Sequence, residues 1–475
     1  MGPAPSNAER FVSTKAELRA VQSGPLYKSE PKIYPREIKG LFTTLRRLST
    51  VVLLGIFYLV PWLQWEGRQA VLFDMPARKF YIFGLTLWPQ DFIYLALLLI
   101  IAGISLFFFT ALGGRLWCGF ACPQTIWTEA FTWMERLTEG NRSQRMKLDK
   151  APWSLTKFGK KFAKQFCWIV FSLFTGFTFV GYFVPVHTLS SEIVTLNVGS
   201  WASFWVLFYG FATYGNAGYM REQVCKYMCP YARFQSSMFD RDTLIVTYDG
   251  RRGEPRGGRR RGSNPQEQGL GDCIDCTLCV QVCPTGIDIR DGLQYECIAC
   301  AACIDACDQV MDKMNYPRGL VRYSTQHALE NSSSRAVRPR TLIYAALLLT
   351  LIVVFAASLA MRNPLILDVI RDRNTLYRDV GLRGIENSYT VRMVNKDSDP
   401  HMFMLSVDGV DGIEIASNVD FRIEAQSIST LPISVIAPHE NSYGGHRIEF
   451  TLKTTDGSDI SVTEESRFRG PAKEN

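Results

Sequence analysis

The sequence predicts a multi-domain membrane protein: an α-helical membrane bundle of five spans, a small α+β domain inserted before the last span, and a C-terminal all-β sandwich. Three observations carry this. Long apolar runs alternate with strongly polar stretches, so the mean hydropathy of the whole chain is neutral. Twelve of the 13 cysteines fall in tight, regular clusters. From about residue 384 the pattern becomes short alternating apolar and polar runs separated by Gly, Asn, Asp and Pro.

The bundle rests on five segments long enough to cross a hydrocarbon core: 48–65, 92–112, 166–186, 198–220 and 341–361. The last four contain no Asp, Glu, Lys or Arg, which buried helices of soluble proteins rarely achieve over such lengths. The first is shorter and contains Pro61 and Gln64. Orientation follows from the basic residues. Residues 1–50 carry nine Lys or Arg and residues 111–165 carry ten, whereas loops 66–87 and 186–200 carry three and none. The positive-inside rule places the N-terminus, the second loop and the region 221–340 in the cytoplasm, and the tail after Met361 outside, in the periplasm of a bacterium. This explains the formal charge of +7 better than nucleic-acid binding does. The first 47 residues are polar and basic, without the apolar region of a signal peptide. Met1–Ser6 fits the loose N-myristoylation pattern, an anchor that a protein already in the bilayer does not need. The expected boundaries are therefore an N-terminal segment 1–47, a four-span bundle 48–230, a cytoplasmic insert 231–340, a fifth span 341–361 and a periplasmic sandwich 362–475.

The insert carries the strongest signal. Cys273-x2-Cys276-x2-Cys279-x3-Cys283-Pro284 is followed by Cys297-x2-Cys300-x2-Cys303-x3-Cys307. Cysteines three apart in a short loop wrap three thiolates around one iron–sulfur cubane, and the fourth of each run reaches the other cluster. Cys273, Cys276, Cys279 and Cys307 are assigned to one [4Fe–4S] cluster, and Cys297, Cys300, Cys303 and Cys283 to a second, making a ferredoxin-like module. Zinc usually takes two CxxC pairs set further apart. Asp308 follows Cys307 where Pro284 follows Cys283, a departure expected to alter the shape of the second loop. Upstream, Asp249–Gln268 is dense in Gly, Pro and Arg; it reads as a solvated, flexible linker, or as a cationic patch for anionic lipid or an acidic electron donor.

Two shorter motifs match each other. Cys118-x3-Cys122-Pro123 follows the second span and Cys225-x3-Cys229-Pro230 follows the fourth, each with an arginine just before it, Arg115 and Arg221. The order span, span, CxxxCP occurs twice, which reads as duplication of a two-helix unit. If each span continues helical through its motif, both cysteines of a pair share one face. Packed side by side, the units bring Cys118, Cys122, Cys225 and Cys229 together at the membrane face. Four thiolates suit Cu(I) or iron–sulfur chemistry, or a dithiol–disulfide cycle. Cys167, inside the third span, is expected to be a small packing residue.

The remaining residues narrow the chemistry. Of the five histidines, only His187 lies near the membrane edge, so a bis-histidine haem is not expected; CxxCH and a dinucleotide fingerprint are absent, so neither covalent haem nor NAD is expected. In the tail, Tyr389–Met393, Met402–Leu405 and Ile448–Leu452 read as strands of an antiparallel sandwich of about 90 residues. His401, Met402 and Met404 invite a copper reading; the plainer expectation is that Met402 and Met404 share the face that fills the core.

These features resemble, along essentially the whole chain, the accessory proteins of cbb3-type cytochrome c oxidase, the FixG/CcoG/RdxA group. The resemblance is carried by the two CxxxCP motifs and the doubled cysteine motif. It is also carried by the phrases Tyr248–Gly257, Tyr316–Thr325 and Arg362–Arg373. It implies an Ig-like C-terminal domain, a bacterial inner-membrane location, and reduction of Cu(II) to Cu(I) for maturation of a copper-containing oxidase. It marks Cys118, Cys122, Cys225 and Cys229 as the copper-contacting thiols. The implied partners are membrane lipid, oxidase subunits or copper chaperones, an electron donor of unspecified identity and a second copy of the chain as a homodimer; nucleic acid is not among them. The four-span core is similar also to NapH-type quinol dehydrogenase subunits, which lack the fifth span and the sandwich. A third class is a non-catalytic scaffold whose clusters only stabilise a docking domain. Direct reduction of the clusters by a quinol favours the second class, and tolerance of Cys118→Ser with Cys225→Ser favours the third.

Overall fold

Apolar runs fold into helices because the backbone must satisfy its own polar groups in lipid. The computed structural model describes residues 32–261, 268–330, 333–373, 375–397, 399–458 and 460–472. The N-myristoylation pattern and positions 262–267 of the Arg-rich stretch lie outside the described residues. The main helices are α1 (Leu41–Leu59), α2 (Phe92–Gly113), α3 (Pro123–Glu139), α4 (Arg142–Lys150), α5 (Leu155–Val180), α6 (Ser200–Thr213), α7 (Pro230–Met238), α8 (Ala302–Met314) and α9 (Pro339–Ala360).

Among the described residues, four helical segments are long and apolar enough to cross a membrane: Leu41–Trp62, Pro89–Gly113, Leu155–Val180 and Pro339–Ala360. The protein is a membrane protein. The remaining expected span, 198–220, the fourth in order, is built differently. α6 runs into a wider π-helical segment, Tyr214–Met220, and the chain then turns at Arg221 with φ +42°. Gly215, Ala217 and Gly218 keep part of this segment small. A Cβ at Gly218 would stand 3.2 Å from the indole of Trp168. The Gln124 amide donates to the carbonyls of Asn216 and Arg221 at 2.9 and 3.0 Å, providing for carbonyls at the irregular end of the helix. The third span also shifts, from the expected 166–186 to Leu155–Val180. Its first turns carry Lys161 and Lys164, which pair with the buried Glu139, and its end is set by Gln69. The Gln69 side chain donates to the Gly181 carbonyl at 2.7 Å and accepts from the Val186 amide at 2.9 Å.

The chain divides into two compact units, each with its own core. One comprises 1–54, 109–172 and 211–336, the other 55–108, 173–210 and 337–475. In the first unit, Phe131, Trp168 and Ala217 are buried together beside an ion network. Glu135, fully buried on α3, meets Arg145 at 2.9 Å and Arg221 at 3.0 Å. Burial opposes its ionised form, but Arg221 and Arg145 outweigh that and hold the carboxyl below the usual range. Glu139 receives Lys161 and Lys164 at 2.9 and 3.0 Å. The cysteine-rich insert belongs to this unit. Its frame is an antiparallel pair, Ile245–Tyr248 with Val321–Ser324, packed with α8 around Val246, Ile289, Ile304 and Val321.

The Arg-rich stretch is not a solvated linker over its described part. Arg252 donates to Asp272 at 2.5 Å and to the carbonyls of Pro317 and Arg318, while Arg259 donates to the Tyr316 hydroxyl at 3.0 Å and stacks over its ring. Arg252 and Arg259 find acceptors on the module itself, so the described part of this segment is a strap rather than a spacer.

In the second unit, a three-stranded sheet (Val71–Asp74, Lys79–Ile82, Leu85–Leu87) fills the loop between the first two spans. The tail forms two antiparallel sheets from β1 (Leu365–Arg371), β2 (Arg378–Asp379), β3 (Ile385–Asn395), β4 (His401–Asp408), β5 (Glu414–Ile415), β6 (Asp420–Ile423), β7 (Ile428–Ala437), β8 (Gly445–Thr454) and β9 (Ser461–Arg469). One sheet has the order β5-β7-β3-β1 with β2 also on β3; the other is β6-β4-β8-β9. Tyr389, Val391, Met393, Phe403, Leu405, Phe450 and Phe468 form the core between them. Met402 and Met404 do not fill that core; they are 42% and 43% exposed. On β4 their face also carries Ser406 and Asp408, so the face with Phe403, Leu405 and Val407 turns inward instead. His401 is held by Asp456 at 2.6 Å and Asp397 at 3.3 Å. Asp91, Arg362 and Lys396 form a buried ion triad, with both cation–carboxylate distances 2.9 Å.

Candidate metal centre

The doubled cysteine motif folds into two loops of like conformation. Asp275 and Thr277 flank Cys276 with φ +53° and +55°; Ala299 and Ala301 flank Cys300 with φ +53° and +58°. Left-handed residues are uncommon away from glycine, and alternating them with ordinary ones turns successive amide groups inward, a cradle for a negatively charged group. The cysteines line two adjoining cavities. One is lined by Cys273, Cys276, Cys279 and Cys307, with Tyr248, Leu320 and Val321 among its walls. The other is lined by Cys283, Cys297, Cys300 and Cys303, with Cys279 at its edge. Thus Cys307, on α8, faces the first loop, and Cys283 faces the second.

Burial pushes the thiols up: Cys279 to about 11, Cys297 and Cys307 to about 12. Such sulfurs hold protons until a cation displaces them. Among the described residues, no three Cys, His, Asp or Glu side chains gather tightly enough to share one metal ion. Two apolar, cysteine-lined cavities with inward amides fit clusters better than a single zinc ion. When bound, an iron–sulfur cluster supplies a one-electron store at each cradle. Asp308 does not disturb its cradle: α8 runs through it, and its carboxylate accepts the Gly319 amide at 2.9 Å.

The membrane-face motifs share a second construction. α2 ends at Gly113, and Gly114, with φ +57°, breaks the helix before the short turn Leu116–Phe120. The span therefore does not continue unbroken through the first motif, nor through the second, where Val224–Met228 is a π-helical turn. In each motif the second cysteine, Cys122 or Cys229, is extended, and the proline after it starts a helix, α3 or α7. The four thiols are close enough to feel one another. Burial, with its cysteine neighbours adding, pushes Cys118 up to about 12 and Cys225 to about 11, and burial also raises Cys122. Cys118 donates to Gln235 of α7 at 3.3 Å, which ties the first motif to the helix that follows the second. Cys167 sits half-buried on α5.

The second cradle is clamped to the first motif. Arg115 donates to the carbonyls of Tyr295 and Cys297 on the cluster loop, the latter at 3.3 Å, and to that of Ala232 on α7. Gly119 lies so close to this loop that a Cβ would stand 2.8 Å from the Ile298 carbonyl oxygen. Cys118 itself packs against the cluster of Val282, Ile298, Cys300 and Ala302. Asp305, between Cys303 and Cys307 on α8, caps α1 by accepting the Thr43 amide and hydroxyl, both at 2.7 Å, and the Phe42 amide at 3.3 Å. Sequence reasoning missed Asp305 and Glu135 because the partners that tie them to other elements, Thr43 and Arg221, are far along the chain. The arginine ahead of each motif was the visible signal, and each ties its own motif to the helix that follows the other: Arg115 to α7, Arg221 to Glu135 of α3.

Comparison with known proteins agrees with this geometry. The family described as a 4Fe-4S dicluster domain matches residues 220–326, and the Ig-like fold at the C-terminus of FixG matches 355–471. A 4Fe-4S binding domain matches 95–140, a stretch that contains the first CxxxCP motif. The protein RdxA of Cereibacter sphaeroides is 40% identical over 437 residues, covering 88% of this chain and 91% of its own. FixG of Rhizobium meliloti is 37% identical over 461 residues, covering 87% and 88%. RdxB of Cereibacter sphaeroides is 41% identical over 400 residues, covering 81% and 84%. A solved FixG-related protein from Vibrio parahaemolyticus, 28% identical, covers 24% of this chain and 100% of its own with a TM-score of 0.22. The resemblance read from the motifs holds: this iron–sulfur electron-transfer protein belongs to the FixG/RdxA family.

Proposed function

We propose that the chain is a five-span protein of a bacterial inner membrane that takes electrons on the cytoplasmic side and reduces Cu(II) to Cu(I) for assembly of a cbb3-type oxidase. The ferredoxin-like module holds two [4Fe–4S] clusters, one on Cys273, Cys276, Cys279 and Cys307, the other on Cys283, Cys297, Cys300 and Cys303. A reduced one-electron carrier supplies the module. Each Cu(II) takes one electron, and the resulting Cu(I) suits the thiolates of Cys118, Cys122, Cys225 and Cys229. The tail is periplasmic, and oxidase subunits or copper chaperones receive the ion. The observation that carries this reading is the clamp of Arg115 and Gly119, which holds the second cradle against Cys118.

The test is iron, sulfide and copper analysis of anaerobically purified full-length protein, with and without the four membrane-face cysteines. The reading expects about eight irons in both forms and copper only in the form with thiols. Far fewer than eight irons, or copper retained without the thiols, contradicts it.

A quinol dehydrogenase is the second reading. A cleft of about 80 Å3 opens beside Cys225, between Thr43 and Arg46 of α1, Thr128 of α3 and Thr285 near the second cradle. It offers polar anchors for a quinol head. Reduction of the clusters by menaquinol or ubiquinol, abolished by a bulky substitution at Thr128, supports it; clusters left oxidised by both quinols exclude it.

A further inference from the structure

The two cradles differ in the charge that faces them. Beside the first stands Arg290, near Cys279, but it is matched by two carboxylates, Asp288 at 2.6 Å and Asp275. Beside the second stands Arg46, one and a half turns into α1 from the Asp305 cap. It lines a cleft with Val282, Ile298 and Ala302, the residues packed around Cys300, its charge acts on that thiol, and it shares one carboxylate, Glu129 of α3, at 3.2 Å. Glu129 is itself shared with Arg136 at 3.0 Å, and Glu37 pairs with Arg136 at 3.4 Å and with Arg47, so two carboxylates serve three guanidinium groups. The Arg46 side chain is 13% exposed, and its Nε is buried with no acceptor among the described residues. A buried donor left open beside a cluster ligand is what a cluster-bound sulfur satisfies. Asp305, the cap of α1, also faces this arginine and offsets part of its charge, as Asp288 and Asp275 do for Arg290. Arg115, the other cation near the loop, directs its donors to three backbone carbonyls.

A net positive charge and a hydrogen bond at a cluster sulfur favour the form carrying one more electron. We propose that Arg46 is a positioning and tuning residue that makes the Cys283/Cys297/Cys300/Cys303 cradle the higher-potential end of the relay. Electrons entering at the first cradle then settle on the second, the one clamped to Cys118. The direction of the relay is thereby built into α1, the helix that Asp305 fixes to the module. This rests on the two-cluster part of the proposed function and not on copper.

The experiment is an EPR-monitored redox titration of full-length protein, purified anaerobically in detergent, with iron and sulfide measured on every sample. Arg46→Gln is expected to lower the midpoint of one cluster by a tenfold or greater fall in its reduction equilibrium, about 59 mV for a one-electron couple, and leave the other in place. Arg46→Lys keeps the charge and recovers part of the shift. Glu129→Gln moves the same cluster the opposite way. A fully loaded Arg46→Gln protein that titrates like wild type, or one in which both clusters move together, overturns the proposal. If Arg46→Gln loses iron, Glu129→Gln decides: no upward shift overturns it. No copper enters the measurement, so failure of copper reduction leaves this result standing. Conversely, an unmoved potential in a copper-active protein rejects only the role of Arg46.

Discussion

Removing the Asp305 carboxylate should release α1 from the ferredoxin-like module. The structure sets the size of the effect. The carboxylate is 6% exposed and accepts three hydrogen bonds, two at 2.7 Å and one at 3.3 Å, from the first turn of α1. Loss of an N-cap costs about 0.5–2 kcal/mol, and a hydrogen bond to a charged group is worth about 1.5–3 kcal/mol. The three bonds share one acceptor and do not add in full, so Asp305→Ala should cost about 2–4 kcal/mol at this contact. At about 1.4 kcal/mol per tenfold, that is roughly a 30- to 700-fold rise in local opening. Hydrogen exchange of the full-length protein reads it directly, as faster exchange at Phe42 and Thr43, with Asp305→Asn intermediate because it keeps an acceptor. Exchange at those amides unchanged in Asp305→Ala would refute the reasoning.

Other contacts make shorter tests. Gly119→Ala places a Cβ 2.8 Å from Ile298 O and 3.0 Å from Ala299, all backbone, so the clamp must yield; a loss of about 1–3 kcal/mol should appear as a lower Tm, whereas Gly159→Ala, with nothing within 4 Å, should show none. Asp91→Ala leaves Arg362 and Lys396 buried without their carboxylate and should cost about 3–5 kcal/mol in the unfolding of its unit, measured by denaturant titration. Burial lowers the His401 pKa, but its hydrogen bonds to Asp456 and Asp397 outweigh this and raise it above the usual 6.5. Its contribution is then fully present below the unfolded value and lost as pH rises through the folded one. The sandwich transition in the full-length protein should be more stable at pH 5.5 than at pH 8.5, and His401→Gln should remove that difference.

The cradles were legible because the spacing of eight cysteines leaves little choice of partners, and the cavities group them as the spacing implied. The four membrane-face thiols were legible as a group but not in conformation. Gly114 gave no sign that it would break α2, and the π-helical turn at Tyr214–Met220 depends on Trp168 and Gln124, far away in sequence. The sheet Val71–Leu87 hid inside a loop only about 20 residues long. Met402 and Met404 were read inward because methionine is apolar; the two-residue period ties them to Ser406 and Asp408, and that wider pattern held the answer. Asp305 and Arg46 could not be found by any local rule, since their partners are elements folded separately and then brought together.

The most direct test of the relay is anaerobic. Full-length protein reduced with stoichiometric dithionite is mixed with Cu(II) while cluster absorbance and a Cu(I) chelator are followed together. The account predicts that absorbance returns with one Cu(I) formed per electron released, and that Cys118→Ser with Cys225→Ser leaves the clusters reducible but slow to discharge. Reduced clusters that ignore Cu(II), in a wild-type sample with its full complement of iron, would contradict it.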